Sequence, residues 1–357
     1  MQEPKNIFSF CFAGFPGTNR QLRELSQTVG LSRHFSLTDG VQRTREIIFY
    51  RDLLVDAQPS LVIFGSWTPA YDWLLEELSL LDSQSAVLWT SSPGQVDISA
   101  EMGKLANIIQ DTRIDFRLFA SSSFGIPFSR YLRGCYILPH TLNISEGIQR
   151  PNISGHIKNG PTIISLFCSP NEYRRKNILN ALLALTRIKG DFLLYVNGLT
   201  STPAYKTLLD TLKIPYKDFG WMDAKDYQNI FDQIDVGLQL SFSESFNYVV
   251  ADHLLKGIPI ITSEAIPIMH GIPSILKELL VVRNEDDPQE IQEKLQFLID
   301  YPSARFTAGE VALKYLKQAN TRRLGQARST LETLLQSCRR QQSHEQSASS
   351  DTAIQRP

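Results

Sequence analysis

Short apolar runs alternate with stretches of helical periodicity along nearly the whole chain, the pattern of parallel sheets covered on both faces by helices. In the first half, Asn6–Phe12, Arg33–Leu37, Leu61–Phe64, Ala86–Trp89, Phe116–Phe119 and Tyr136–Leu138 read as strands. A stretch ending at Val29, then Val41–Ala57, Pro69–Leu81 and Ile98–Ile109, read as helices, with Thr68 capping the third and Pro69 in its first turn. The alternation pauses over 143–161, where Gly and Pro replace apolar residues, and then restarts. Strands are predicted at Thr162–Phe167, Phe192–Val196, a run ending in Lys217–Trp221, Val236–Leu240, Ile258–Ile261 and Leu280–Val282. Helices are predicted up to Arg187 and at Pro203–Leu212, Ala224–Gln233, Pro273–Leu279 and Pro288–Ile299. Residues 304–338 are helix-like and Arg-rich, and 339–357 hold too few apolar residues to pack, which predicts disorder.

Two alternating halves around a linker make the fold class α/β, with two Rossmann-like doubly wound domains whose carboxyl rims face across a cleft. The expected boundaries are a first domain over 1–142, a linker over 143–161, a second domain over 162–303, terminal helices over 304–338 and a disordered tail over 339–357. Ligands of such sheets lie beyond the carboxyl ends of the strands. The turn Ala13–Asn19, with Gly14 and Gly17, therefore faces a ligand at a helix start, although a merely tight turn explains two glycines as often. Trp67 and Trp89 lie near the same polar rim, where aromatic faces suit sugar C–H groups or simply fill the core edge.

One stretch, Ser241–Ser263, concentrates the candidate chemistry. Ser243 and Ser245 each offer an N-cap, and Phe246, Val249, Val250 and Leu254 share one helix face. Gly257 closes that helix, Pro259 prevents its continuation, and a buried strand follows. Glu244 stands before the helix start and Asp252 eight residues later, roughly 12 Å along the axis if the rise is helical throughout. Two carboxylates near one helix N-terminus suit a polyhydroxylated, anionic ligand.

Composition narrows the classes. The chain has 357 residues, 42% hydrophobic and 20% charged, enough for two cores. Lys and Arg number 36 against 37 Asp and Glu, so nucleic acid is not an expected partner. Cys11, Cys135, Cys168 and Cys338 have no metal-ligand spacing and are read as reduced thiols. The start carries no secretory signal pattern and no run of ~18 apolar residues occurs, so the chain is expected to be cytoplasmic. Lys314, Lys317, Arg322, Arg323, Arg328, Arg339 and Arg340 allow peripheral contact with an anionic membrane, although a solvated helical face accounts for them as well. His34 and His140 are read as surface or core residues rather than acceptor-side groups, and His253 as a packed one.

The run Phe219–Ser263 resembles the donor-binding core of retaining GT-B glycosyltransferases, the nucleotide-sugar-dependent, Glu-x7-Glu type of group 1 or family 4. The shared order is a Gly after a strand, a helix, Asp before an apolar strand, Ser-x-x-Glu-Ser-Phe, a second acidic residue, then Gly-x-Pro-x-Ile. Arg174-Arg175-Lys176-Asn177 resembles the basic turn that holds the donor diphosphate, and the likeness covers about 162–300 but little of 1–150. What it implies is transfer of a hexose-type sugar from a nucleoside diphosphate sugar to a hydroxyl acceptor, on a glycan, a lipid-linked sugar or another alcohol, with retention of configuration. Glu244 and Lys176 would be catalytic, Glu244 accepting from hexose hydroxyls and Lys176 neutralising the leaving diphosphate with Arg174 or Arg175. Ser245, Phe246, Asn247 and Asp252 would complete the donor site, with backbone N–H groups for the diphosphate and Asp252 for the ribose. No cofactor and no metal are implied.

Three positions depart from the pattern: Asp252 replaces Glu, Asn247 replaces Gly and would narrow the space beside the sugar, and Asn171 replaces Arg. Two other readings stay open. A nucleotide-sugar epimerase or inverting transferase of the same fold would want an ionisable base on the first domain's rim, which offers mostly Ser and Thr. A non-catalytic donor-binding partner subunit would accommodate all three departures.

Overall fold

The computed structural model describes residues 7–12, 16–30, 33–37, 43–65, 84–89, 116–121, 135–144, 160–168 and 174–353. They form two compact units, one taking the chain to Asn143 and resuming at Asn320, the other holding Ile144–Ala319.

In the first unit, strands β1 (Ile7–Phe12), β2 (Arg33–Leu37), β3 (Leu61–Gly65), β4 (Gln84–Trp89), β5 (Phe116–Ala120) and β6 (Cys135–Ile137) form one sheet. Its order is β2-β1-β3-β4-β5-β6 and every pairing is parallel. Helices α1 (Pro16–Val29) and α2 (Arg43–Ala57) make the first crossovers. β3 is buried at all five positions, which is why it reads as a continuous apolar run. Phe10 stacks on Phe35 at 5.1 Å between ring centroids, and Tyr50 of α2 meets both edge-on. Gly65 closes β3 where a Cβ would stand 2.8 Å from Leu22 and 2.9 Å from the Cys11 sulfur. The helix of α1 starts at Pro16, so Gly17 is an exposed residue of its first turn and not part of the preceding turn. Proline's fixed φ favours that early start. Gly14, Trp67 and most of the expected first rim lie outside the described residues.

The second unit carries β7 (Thr162–Leu166), β8 (Phe192–Val196), β9 (Tyr216–Asp218), β10 (Val236–Gln239), β11 (Ile260–Ser263) and β12 (Val281–Val282). Between them run α3 (Ile178–Leu185), α4 (Pro203–Thr211), α5 (Ala224–Ile230), α6 (Tyr248–Leu255) and α7 (Ser274–Leu280), and α8 (Pro288–Asp300) follows β12. The sheet is again wholly parallel, in the order β12-β11-β10-β7-β8-β9. From β7 the chain winds outward through β8 to β9, then returns to β10 and winds the other way. The reversal falls between β7 and β10, where ligands of doubly wound sheets bind.

The last helix, α9 (Pro302–Ala353), belongs to both units. On the second, Gly309 lies so close to the end of α6 that a Cβ there would stand 1.8 Å from the Gly257 carbonyl oxygen. Tyr315 donates its hydroxyl to the carbonyl of His270 at 2.5 Å. On the first, the Asn320 side chain accepts from the Leu142 N–H and donates to its carbonyl, both at 2.8 Å. Ala327, Leu331, Leu334 and Leu335 complete a core with Ile7, Leu22, Leu25, Ile63 and Phe119. The helix runs on over 339–353, where disorder was expected. That stretch has little to bury, but it contains neither Gly nor Pro to stop a helix already propagating. Among the described residues no helix is long and apolar enough to cross a membrane.

Candidate active site

Two loops meet at the carboxyl edge of β7 and β10. The register pairs Val236 with Ile164 and Gly237 with Ser165, which brings the turn after β7 beside the turn after β10. Several bonds fasten the two together. The Phe242 N–H donates to the Arg175 carbonyl at 2.8 Å, and the Arg175 guanidinium donates to the Ser243 carbonyl at 2.5 Å. Ser263 at the end of β11 donates to the Ser241 carbonyl at 2.5 Å. On the other side, Asn177, in the left-handed conformation at φ 53°, ends the basic turn and donates to the Glu285 carbonyl at 2.6 Å.

Glu244 sits at the centre. Its Oε1 accepts from Lys176 Nζ at 2.5 Å, Ser241 Oγ at 2.7 Å and Asn247 Nδ2 at 3.2 Å, and is ion-paired with Arg175 at 3.0 Å. The three charged side chains are 7–8% exposed, so one carboxylate and two cations share a largely desolvated site. Burial pushes the Glu244 carboxyl up, but the Lys176 and Arg175 charges and the Lys176 and Ser241 hydrogen bonds outweigh it and hold it below the ordinary range. Removing Glu244 from such a cluster would leave two buried cations facing each other.

Arg174 lies exposed on the same turn as Arg175 and Lys176. Ser245 is half-buried and caps nothing, because α6 begins later than the serines suggest. Its N-cap is Asn247, whose Oδ1 accepts from the Val250 N–H at 3.1 Å. Phe246, buried to 3% exposure, packs its ring against Tyr248 at 5.1 Å. Asn247 has φ 75°, a conformation in which Gly is unstrained and Asn is the side chain best tolerated. Its amide is turned into the helix start and the Glu244 cluster. Asp252 is buried in the second turn of α6, next to His253. Asn171 lies outside the described residues.

His253 is packed, as expected. Its Nδ1 is 2.7 Å from the Val249 carbonyl, which can only accept, so Nδ1 carries the proton and Nε2 accepts from Ser165 Oγ at 2.6 Å. Burial lowers its pKa to about 4, against the Val249 bond and the Asp252 charge. Gly237 makes room for the ring, since a Cβ there would stand 2.7 Å from it.

Ser241 opens the Ser-x-x-Glu-Ser-Phe motif, but two other polar residues of the site, Gln239 and Ser263, were given no role in the sequence. Gln239 is 1% exposed at the end of an apolar strand and donates to the Phe167 carbonyl at 2.5 Å. A lone amide closing a buried run was the one available sign of it. Gly17 belongs to the first unit, where His34 is held between Ser9 at 2.9 Å and Asn19 at 2.6 Å. Among the described residues no group of three or more His, Cys, Asp or Glu gathers as a metal-holding cluster.

No family profile and no curated protein match the sequence. Solved structures do. A glycosyltransferase from Rickettsia africae superposes with a TM-score of 0.67 at 12% identity, covering 94% of this chain and 99% of that one. Sucrose-phosphate synthase from Thermosynechococcus elongatus gives 0.68 at 12% identity, over 92% and 100%. HepE from Anabaena, solved with UDP-glucose, gives 0.66 at 14% identity, over 92% and 99%. With nearly the full length of each chain superposed, the chain has the fold of the GT-B glycosyltransferases.

Proposed function

We propose that this protein is a retaining glycosyltransferase that moves a hexose-type sugar from a nucleoside diphosphate sugar to a hydroxyl acceptor. The observation that carries the reading is the Glu244–Lys176–Arg175 cluster at the reversal point of the second sheet. Two cations against one carboxylate leave the cluster with an excess of positive charge, which suits a diphosphate. The fold and the UDP-glucose complex of Anabaena HepE support the same donor class and make UDP-glucose the first donor to try.

In this reading Lys176 and Arg175, with exposed Arg174 on the same turn, take up the charge that develops on the leaving diphosphate. The backbone N–H groups of Phe246 and Asn247 and the N-terminal end of the α6 dipole add to it. Glu244 accepts from hexose hydroxyls and Asp252 from the ribose. As the bond from the anomeric carbon to the phosphate oxygen breaks, the acceptor oxygen bonds that carbon on the same face. The departing phosphate oxygen takes the acceptor's proton. The protein's own cations stabilise the leaving group, so transfer is expected to persist undiminished in EDTA. The acceptor is a glycan, a lipid-linked sugar or another alcohol.

The test is release of nucleoside diphosphate from the donor by the wild-type chain and by Glu244→Ala and Glu244→Gln. Turnover should fall by at least about 100-fold in both variants, with circular dichroism unchanged. Undiminished turnover in a folded variant would sink the assignment.

A further inference from the structure

We propose that Asn247 is a positioning residue, whose side-chain amide fixes the orientation of the Glu244 carboxylate through a directional relay from the end of β7. The inference rests on the function proposed above and concerns the side chain, not the backbone N–H already assigned to the diphosphate.

The relay has one chemically consistent sense. The Phe167 carbonyl only accepts, so the group facing it at 2.5 Å is the Gln239 NH2, and Gln239 turns its Oε1 to Asn247. The Val250 N–H only donates, so Asn247 faces it with Oδ1 at 3.1 Å. Asn247 Nδ2 is thereby aimed at two acceptors, Gln239 Oε1 and Glu244 Oε1, each at 3.2 Å. Asn247 and Gln239 are 6% and 1% exposed, so no water competes for these bonds on equal terms.

The conformation adds a second argument. At φ 75° the backbone would take Gly with less strain, and capping alone would be served as well by Asp or Ser. Neither supplies what Asn does here, an acceptor for the helix and an NH2 for the carboxylate on one planar group. Capping and positioning can therefore be separated by substitution. Asn247→Asp keeps the shape and the cap but sets a carboxylate against Glu244. Asn247→Gly relieves the backbone and removes both functions without adding charge.

Steady-state kinetics with a nucleotide-sugar donor, measured against pH for the three proteins, decides the matter. Asn247→Asp is expected to lose at least about tenfold in kcat, with its acid limb moved to higher pH and its melting temperature within a few degrees of wild type. Asn247→Gly should lose less than Asn247→Asp and leave the acid limb in place. The inference is overturned if Asn247→Asp keeps wild-type kcat and acid limb, or if Asn247→Gly, which lacks the NH2, keeps wild-type kcat. If Asn247→Asp fails to fold, Asn247→Ser provides the comparison. It keeps a capping oxygen and loses the NH2, and wild-type kcat in that protein overturns the inference. Absence of turnover in the wild-type chain itself would instead overturn the proposed function.

Discussion

His253 shows how much a single buried side chain contributes to the behaviour of this protein. Folded, it stays neutral until about pH 4, whereas an unfolded histidine takes a proton near 6.5. Between those values the unfolded chain binds the extra proton, so the stability is complete above about 6.5 and drains as pH falls towards about 4, by at most about 1.4 kcal/mol per pH unit. His34, held down to about 4 by burial and Arg23, and His140, held down to about 3 by burial and Arg323, act with the same sign. Melting temperature should therefore fall steadily from pH 6.5 to 4, and nitrogen NMR should show His253 as the neutral Nδ1–H tautomer at pH 5.5. An imidazolium signal there would contradict the packing described. Glu244, Arg174, Arg175 and Lys176 were legible because their order along the chain matches a known pattern. The cap of α6 was not. Two serines offered themselves, and the outcome turned on the backbone of Asn247, which no local composition encodes.

At the scale of elements, most strands were read to within two residues, because strands buried on both faces leave apolar runs, while the partly exposed β9 ends at Asp218, three residues before the expected Trp221. Helix ends were read less well, since α1 begins within its turn and α9 passes every expected stop. What pins α9 is equally invisible in a linear pattern. Gly309 allows its backbone to rest on the Gly257 carbonyl, while Gly325, on the same helix, has open space around it. Paired substitutions follow. Gly309→Ala should destabilise by at least the ~1–3 kcal/mol of ordinary overpacking, because the obstructing atom is backbone. Gly325→Ala should stabilise by roughly 1 kcal/mol through helix propensity. Thermal unfolding measures both, and a neutral Gly309→Ala would mean that α9 does not lie on the end of α6.

At the scale of the whole molecule, two α/β halves were legible from the alternation alone, but the return of α9 into the first unit was not. That return depends on contacts such as Asn320 with Leu142, which are 178 positions apart. Leu334, fully buried in the first unit's core, is their counterpart in packing. Leu334→Ala should cost about 2–5 kcal/mol, read by calorimetry as a lowered transition with hydrogen exchange accelerated in the first sheet and not in the second. The claim on which the functional account turns is that the basic turn and Glu244 form the donor site of the second unit. Isothermal titration of UDP- and GDP-sugars into the wild-type chain and Lys176→Ala tests it most directly. Saturable binding of at least one donor by the wild type is expected, weakened at least about tenfold in Lys176→Ala, as for loss of a charge-assisted bond. Equal affinity in the two proteins, or no binding of any donor by the wild type, would contradict it.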